Sequence, residues 1–404
     1  MAIAQGINKT LTVKKQTGLG VPATGSGGQI LRRETSQFTL EKATYENNEI
    51  AQHQQATGIT HGLRSSSGNL SGVLSPDTYS TMLASLLRKA FTATTAITGA
   101  SITIAGAGPY TLTRAAGSYL TDGVKIGDVI RLTAGSFNAA NSNKNLIVSA
   151  LTATVATVVV VNNSAMVAEG PIAAATVTII GKKAIAPTTG QTQEYWTVEE
   201  WHNDITRSEY FTDMVMSSAE LGLPSTGNAT FTLTMAGLNA SYGASQILTT
   251  PTAETTTPVL SAVNGILLVN NAKVGNVTSA TVNIDVSAAN VGGVVGSNVS
   301  PDIQRGRIRV TGQLTVFFQD GVFPGLFDAG TETQIVLVIA DSSLPGSDFI
   351  SVSIPNVKFS GASSDDGEKG IVKTMPFVAQ LNPTGGPALS LDKTIISIQD
   401  SLAA

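Results

Sequence analysis

Two stretches of this chain carry the same short pattern. The first is Gly68-Asn69-Leu70-Ser71, with Tyr79 and Met82-Leu83 behind it. The second is Gly312-Gln313-Leu314-Thr315, with Phe323 and Leu326-Phe327 behind it. In each, an alternating strand ends in a turn and runs into a segment that can be helical. A repeated unit constrains a fold more than any single motif, because each copy has the same apolar face to bury. The echo implies a tandem of two related β-rich modules.

The length of 404 residues has room for two or three domains of about 150 residues each. Charged residues make up 13% of the chain, about half the usual ~25% share, and aromatics 5%. Thr, Ser, Ala, Val and 40 Gly stand in their place, which suits many short strands joined by tight turns and suits a helical protein poorly. A net charge of −4 argues against a chain-wide grip on nucleic acid, which needs clustered Lys and Arg. The absence of cysteine removes disulfides, cysteine zinc sites and thiol nucleophiles together. The N-terminus has no basic segment followed by an apolar one, so no secretory signal is expected. No apolar run reaches about 18 residues; the richest, Val155 to Val161, is expected to be a buried strand of a soluble protein.

Residues 1–30 are rich in Gly, Thr and Ser, with Gly25-Ser26-Gly27-Gly28 as an expected flexible joint. A strand at Gln37 to Lys42 precedes the polar stretch Ala43 to Ser65, which lacks periodicity and is expected to be a functional loop. Ser75 as N-cap, Pro76 at the first helical position and Asp77 in the first turn predict a helix over 76–91. Its stripe is Tyr79, Met82, Leu83, Leu86, Leu87 and Ala90, with Arg88 and Lys89 in the last turn. Residues 100–186 read as an inserted small β-barrel or sandwich, with short strands at Tyr110, Asp128, Leu146, Val155 and Thr176. The flanks Thr92 to Ala100 and Ala184 to Gly190 are linker-like. Strands then follow at Tyr195 to Trp201 and Val215 to Leu223, with a half-buried hairpin through Phe231, Leu233 and Met235.

Two Thr runs closed by Pro251 and Pro258 mark residues 245–260 as a linker. Beyond it come strands near Gly265 to Val269 and Ala280 to Val286, then a second irregular loop, Ser287 to Gln304. The clearest strand, Ile308 to Phe318, is long and alternates cleanly. Ile335 to Ile339 is continuously apolar and so expected to be buried on both faces. Ile350 to Ile354, Ile371 to Val378 and Ser390 to Ile398 are further expected strands, with a turn at Asp365-Asp366-Gly367. The organisation is therefore 1–99 and 187–250 as a first module, 100–186 as the insert, and 251–404 as the second module.

No catalytic centre, cofactor site or metal site emerges. His53 and His61 share a polar loop, but no acidic or cysteine partner has ligand spacing with them. Glu199, Glu200, His202 and Asp204 put carboxylates beside an imidazole. Neighbouring strand residues point to opposite faces, so a solvated strand end is expected rather than an acid/base pair. No G-x-S-x-G elbow exists. Asp365-Asp366-Gly367-Glu368 lacks the alternating oxygen ligands of a calcium loop, and Gly25 to Gly28 lacks the Lys-Ser/Thr of a phosphate loop. Arg307 and Arg309 are two cations on one polar strand face, expected to be solvated or to touch another subunit.

The order of these features is the basis of a resemblance. An early strand and long polar loop lead to Gly68 to Leu74 and a helix. Strands around Phe211 to Gly237 follow, then Ile308 to Phe318 with Phe323 to Phe327 behind it. The close is Ile354-Pro355-Asn356-Val357, Gly370-Ile371-Val372 and Phe377-Val378-Ala379. Outside residues 100–186, the chain resembles the major tail tube proteins of long non-contractile-tailed bacteriophages. The resemblance implies a mainly β fold of two tail-tube-like sandwich modules, each with a short flanking helix. It implies a structural virion protein, not an enzyme, whose inner strands join those of neighbouring subunits. Rings of six modules would then need three chains, stack into a tube, and carry DNA through the lumen without specific binding and without any membrane. Tape-measure, tail-tip and terminator proteins are the implied partners, with assembly in the host cytoplasm. The loops 43–65 and 287–304 would make contacts between rings, and the insert would project outward or, alternatively, make ring contacts. A bacterial surface protein of Ig-like β-domains is the rival class, disfavoured by the missing signal sequence and the helix after Pro76.

Overall fold

A computed structural model describes every residue except 1–2, 51, 56, 162–163, 320 and 366–367. Its strands of four residues or more begin with β1 (Lys9–Lys15), β2 (Thr35–Glu46) and β3 (Ile59–Val73), followed by helix α1 (Ser80–Leu87). Next are β4 (Ile97–Ala105), β5 (Tyr110–Arg114), β6 (Val129–Ala134), β7 (Leu146–Leu151), β8 (Val155–Val160) and β9 (Glu169–Ile179). Then come β10 (Lys182–Ile185), β11 (Trp196–His202), β12 (Arg207–Leu223), β13 (Thr230–Gly237) and β14 (Asn239–Gly243). The remainder is β15 (Gly265–Val269), β16 (Val277–Asp285), β17 (Arg309–Phe317), α2 (Val322–Asp328), β18 (Thr333–Ala340), β19 (Phe349–Phe359), β20 (Val372–Ala379) and β21 (Ser397–Asp400).

The same order of connection occurs twice. β1 lies beside β11 as β15 lies beside β18, and β2 beside β3 as β16 beside β17. β13 flanks β3 as β20 flanks β17, and β14 pairs with the start of β12 as β21 pairs with the start of β19. The echoed segments occupy matching strands, β3 and β17. Their glycines have a shared physical role. A methyl group at Gly68 would collide with the Phe38 ring, and one at Gly312 with the Phe377 ring. Each ring stands directly across from its glycine on a neighbouring strand and fills the space that the missing side chain leaves.

Strand β12 belongs to two layers. Its first part pairs with β11 and β14, its second with β13 and β16. The change falls at Asp213, a buried residue with φ 57°, beside a register break between Trp196 and Val198. An extra residue of this kind bends a strand from one sheet into the next. Burial holds the Asp213 carboxyl above its ordinary range, and the Gly20 N–H donates to it at 2.7 Å. β19 likewise runs from β18 and β21 to β20. Leu70, Phe231, Leu314 and Met375 fill the space between the layers.

Helix α1 is shorter than the expected 76–91. Asp77 has φ 68°, a left-handed conformation that cannot begin a right-handed helix, and its N–H donates to Asp400 Oδ2 at 2.8 Å. Ser75 Oγ bonds Thr78 Oγ1 at 2.7 Å and closes a turn rather than capping. Arg88 ends the helix with φ 60°. Within the stretch 43–65, expected to be a loop, residues 43–46 belong to β2 and 59–65 to β3, the far half of a hairpin, and the described residues between them are in no strand. Residues 41–50 are exposed on both faces, so no apolar alternation marks it. In the expected loop 287–304, Ile303 packs on Val215 and Leu238, and the Arg64 N–H donates to Asn298 O at 2.8 Å.

Strands β4 to β9 close into a barrel in the order β8-β5-β4-β9-β6-β7. Its flanks are not free linkers: the first holds the start of β4, and the second begins inside β10, which pairs with β21. Gly99, at φ 67°, interrupts the alternation that would have announced β4. Most of the expected terminal strand 390–398 is irregular, and only β21 pairs. Strand β18 is buried on both faces, as its apolar run predicts. Ile335, Leu337 and Ile339 enter the main core, while Val336 and Val338 meet Val129, Ile147 and Val161 of the barrel region. The barrel thus covers the outer layer of the second half. Gln399 reinforces the contact, donating to Val129 O at 2.9 Å and Ile180 O at 2.7 Å. Lys183 pairs with Asp128 at 2.7 Å and Asp392 at 3.0 Å; burial pulls its ammonium down, and the two carboxylates outweigh that and hold it up.

Excising residues 97–180 is expected to uncover Ile266, Leu268, Val336 and Val338 and to make the shortened chain aggregate. Replacing those four by Thr in the excised chain should restore solubility. Light scattering distinguishes the outcomes, and a soluble, unsubstituted excision would contradict the packing account.

Candidate assembly edges

A strand whose backbone has a partner on one side only is an incomplete structure. The inner sheet runs β2-β3-β13-β12-β16-β17-β20, with the end of β19 and the two-residue strand Ser363–Ser364 along the far side of β20. At one end, β2 pairs with β3 and, among the described residues, with no strand on its other side. At the opposite end, Ser363–Ser364 pairs, among the described residues, with β20 alone. Between them the two halves of the chain meet edge to edge, with Ser218 to Leu223 of β12 antiparallel to Asp285 to Ala280 of β16.

The sheet face turned from the core is mostly polar from β2 to β16 and carries the apolar Phe317, Pro376 and Val378 toward β20. Register places Gln37, Asn69, Thr234, Thr281 and Gln313 there, along with Glu41, Glu220 and Asp285. Its cations lie beside acids: Arg309 stands opposite Asp285, and Lys358 is 3.3 Å from Glu332.

The residues singled out by chemistry serve the scaffold. Glu199 and Glu200 point to opposite faces of β11, but both are buried, contrary to a solvated strand end. Glu199 accepts from Ser208 Oγ at 2.5 Å, Ile247 N at 2.7 Å and Leu248 N at 2.8 Å. It thereby ties down the segment expected to be a free linker. Glu200 takes Lys9 at 2.7 Å and Ser36 Oγ at 3.0 Å. Asp204 accepts from the Gln5 N–H at 2.6 Å, a bond that holds its carboxyl below the usual range. Gly25–Ser26, expected to be a flexible joint, pairs with Leu248–Thr249.

His53 lies near the hairpin tip, accepting from Gln55 N, while His61 sits on β3 opposite Thr44, and His202 ends β11 opposite Lys9. Among the described residues, no group of three or more His, Cys, Asp or Glu could hold a metal. The turn predicted at Asp365-Asp366-Gly367 lies partly outside the described residues. Arg307 precedes strand β17 rather than joining Arg309 on it. Together with Arg88 and Arg305 it lines an open cleft of about 880 Å³ between the two halves, a grouping that sequence separation concealed. Burial lowers the pKa of both Arg88 and Arg305, and Arg305 lies 5.0 Å over the Tyr195 ring.

Two layers of strands, and an inner sheet whose two ends have no further strand partner among the described residues, define a mainly β protein of the structural kind. The chain belongs to the phage tail tube protein family, whose model matches residues 6–381, and it is a component of the virion tail. Comparison with curated proteins yields no match. No helix among the described residues is long and apolar enough to cross a membrane.

Removing the Glu199 carboxylate strands three donors, two of them backbone amides. Glu199→Ala should cost on the order of 2–3 kcal/mol in denaturant unfolding, and protease should then cut within 245–260; an unchanged midpoint contradicts this role. Asp400 supplies a pH signature. Burial pushes its carboxyl up to about 6. The folded chain therefore keeps a proton that the unfolded chain sheds near pH 4, so this group's contribution to stability falls as pH rises from 4 through 6. Between pH 5 and 7 the native chain should lose about 1 kcal/mol more than Asp400→Asn; an equal or smaller loss would refute it.

Proposed function

We propose that this chain self-assembles into stacked rings that form the tail tube, the conduit through which DNA passes into the host. Residues 1–99 with 187–250 form one tube module, 251–404 the second, and 100–186 an inserted β-domain. The observation that carries the proposal is the inner sheet, in which two halves of the chain join edge to edge while, among the described residues, neither outer edge has a second strand partner. A strand edge left open is a template for another chain, and closed rotational symmetry is the way to satisfy every such edge at once. Two modules per chain make three chains the natural ring, a pseudo-hexamer.

In that arrangement the polar inner face lines the lumen. Thr, Ser, Asn and Gln with scattered carboxylates, and Arg309 and Lys358 each beside an acid, offer phosphates little cationic grip, so DNA slides without specific binding. The insert, seated on the outer layer, projects from the tube wall. The long β2–β3 hairpin reaches toward a neighbouring ring, and tape-measure, tail-tip and terminator proteins bound the tube at its ends. Electron microscopy of the purified, concentrated protein tests this. Rings or tubes with threefold symmetry are expected; persistent monomers under all assembly conditions would sink it.

A further inference from the structure

The internal junction states which edges meet between chains, and in what register. The match of Gly68 with Gly312 aligns the two halves residue by residue. Through the pairings of β2 with β3 and of β16 with β17, Phe38, Thr39 and Leu40 occupy the places of Val282, Asn283 and Ile284. Through the pairings of β13 and β20, Ser363 and Ser364 occupy the places of Glu220 and Leu221. Extending that register by one residue puts Ala362 in the place of Ala219.

Within the chain, Ala219 faces Ile284, Glu220 faces Asn283 and Leu221 faces Val282. We propose that the same junction recurs between copies: Ser363 of one chain lies opposite Thr39 of the next, Ser364 opposite Phe38, and Ala362 opposite Leu40, antiparallel. This rests on the tube assembly proposed above and adds its edges and register.

Burial supports the match. Ala219 is 1% and Ile284 0% exposed, because each covers the other's flank of the core. Their counterparts Ala362 and Leu40 pack at the margin of that same core but remain half-buried. They are the positions that lack a covering strand. Thr39 and Ser363 are exposed, as polar residues awaiting a cross-strand neighbour should be. On β2, Lys9 Nζ donates to the backbone at Ser36 O, which lies before the proposed contact and leaves it clear.

The cysteine-free chain makes the test direct. Thr39 and Ser363 stand at opposite ends of the sheet, on the order of 30 Å apart by strand spacing, so no bond can form between them within one chain. The Thr39→Cys, Ser363→Cys double variant, assembled and oxidised, should convert most of its protein into covalent species ending at a closed trimer. Each single variant should stay uncrosslinked, and an equimolar mixture of the two should give cross-links. The Leu40→Cys, Ser363→Cys pair points to opposite faces and should not link. Tubes that form without the Thr39–Ser363 link, or that link equally well through Leu40, overturn the register while leaving tube formation intact. Failure of the native chain to form rings or tubes overturns both.

Discussion

The antiparallel contact between β12 and β16 is the interaction on which the rest of the molecule depends. It turns two half-sheets into one. Six residues of β12 face six of β16, and on one side of the contact Ala219, Leu221, Val282 and Ile284 are sealed into a common core. The backbone bonds of such a pairing are indifferent to sequence, so the apolar alternation beneath it sets the register. A sheet built this way has no natural stopping point within one chain. It ends at β2 on one side and at Ser363–Ser364 on the other, and in the proposed ring these two edges would meet as β12 and β16 do.

The outer layer solves a different problem. Strand β18 is apolar on both faces, which a two-layer sandwich cannot satisfy alone. The barrel supplies a third layer over the second half, although it is inserted between strands of the first. The barrel therefore ties the two halves of the chain to each other, with Gln399 and the Lys183 carboxylate pair completing the polar contacts. Its role in stability is separate from the inner edges, which it does not touch.

Much of this was legible in the sequence wherever a side-chain period met a single buried face. The strands β13 and β17, the doubly buried β18 and the Gly68–Gly312 echo all announced themselves in that way. The paired glycines meant more than repetition, since each makes room for an aromatic ring from across the sheet. The misses have physical causes too. The outer half of the β2–β3 hairpin is solvated on both faces and carries no period. The start of α1 is decided by Asp400, more than 300 residues away, which draws the Asp77 amide into a left-handed turn. Glu199 looked like a solvated carboxylate because its donors come from residues 208, 247 and 248, and no local pattern foretells such a convergence. The open edges were invisible for a deeper reason: an unpaired strand and a paired one share the same sequence pattern.

In the proposed tube, one chain contributes two equivalent units to a closed inner sheet. Native mass spectrometry of a single isolated ring counts them: three copies of the chain per ring are expected, and a ring of six copies would refute the two-unit chain.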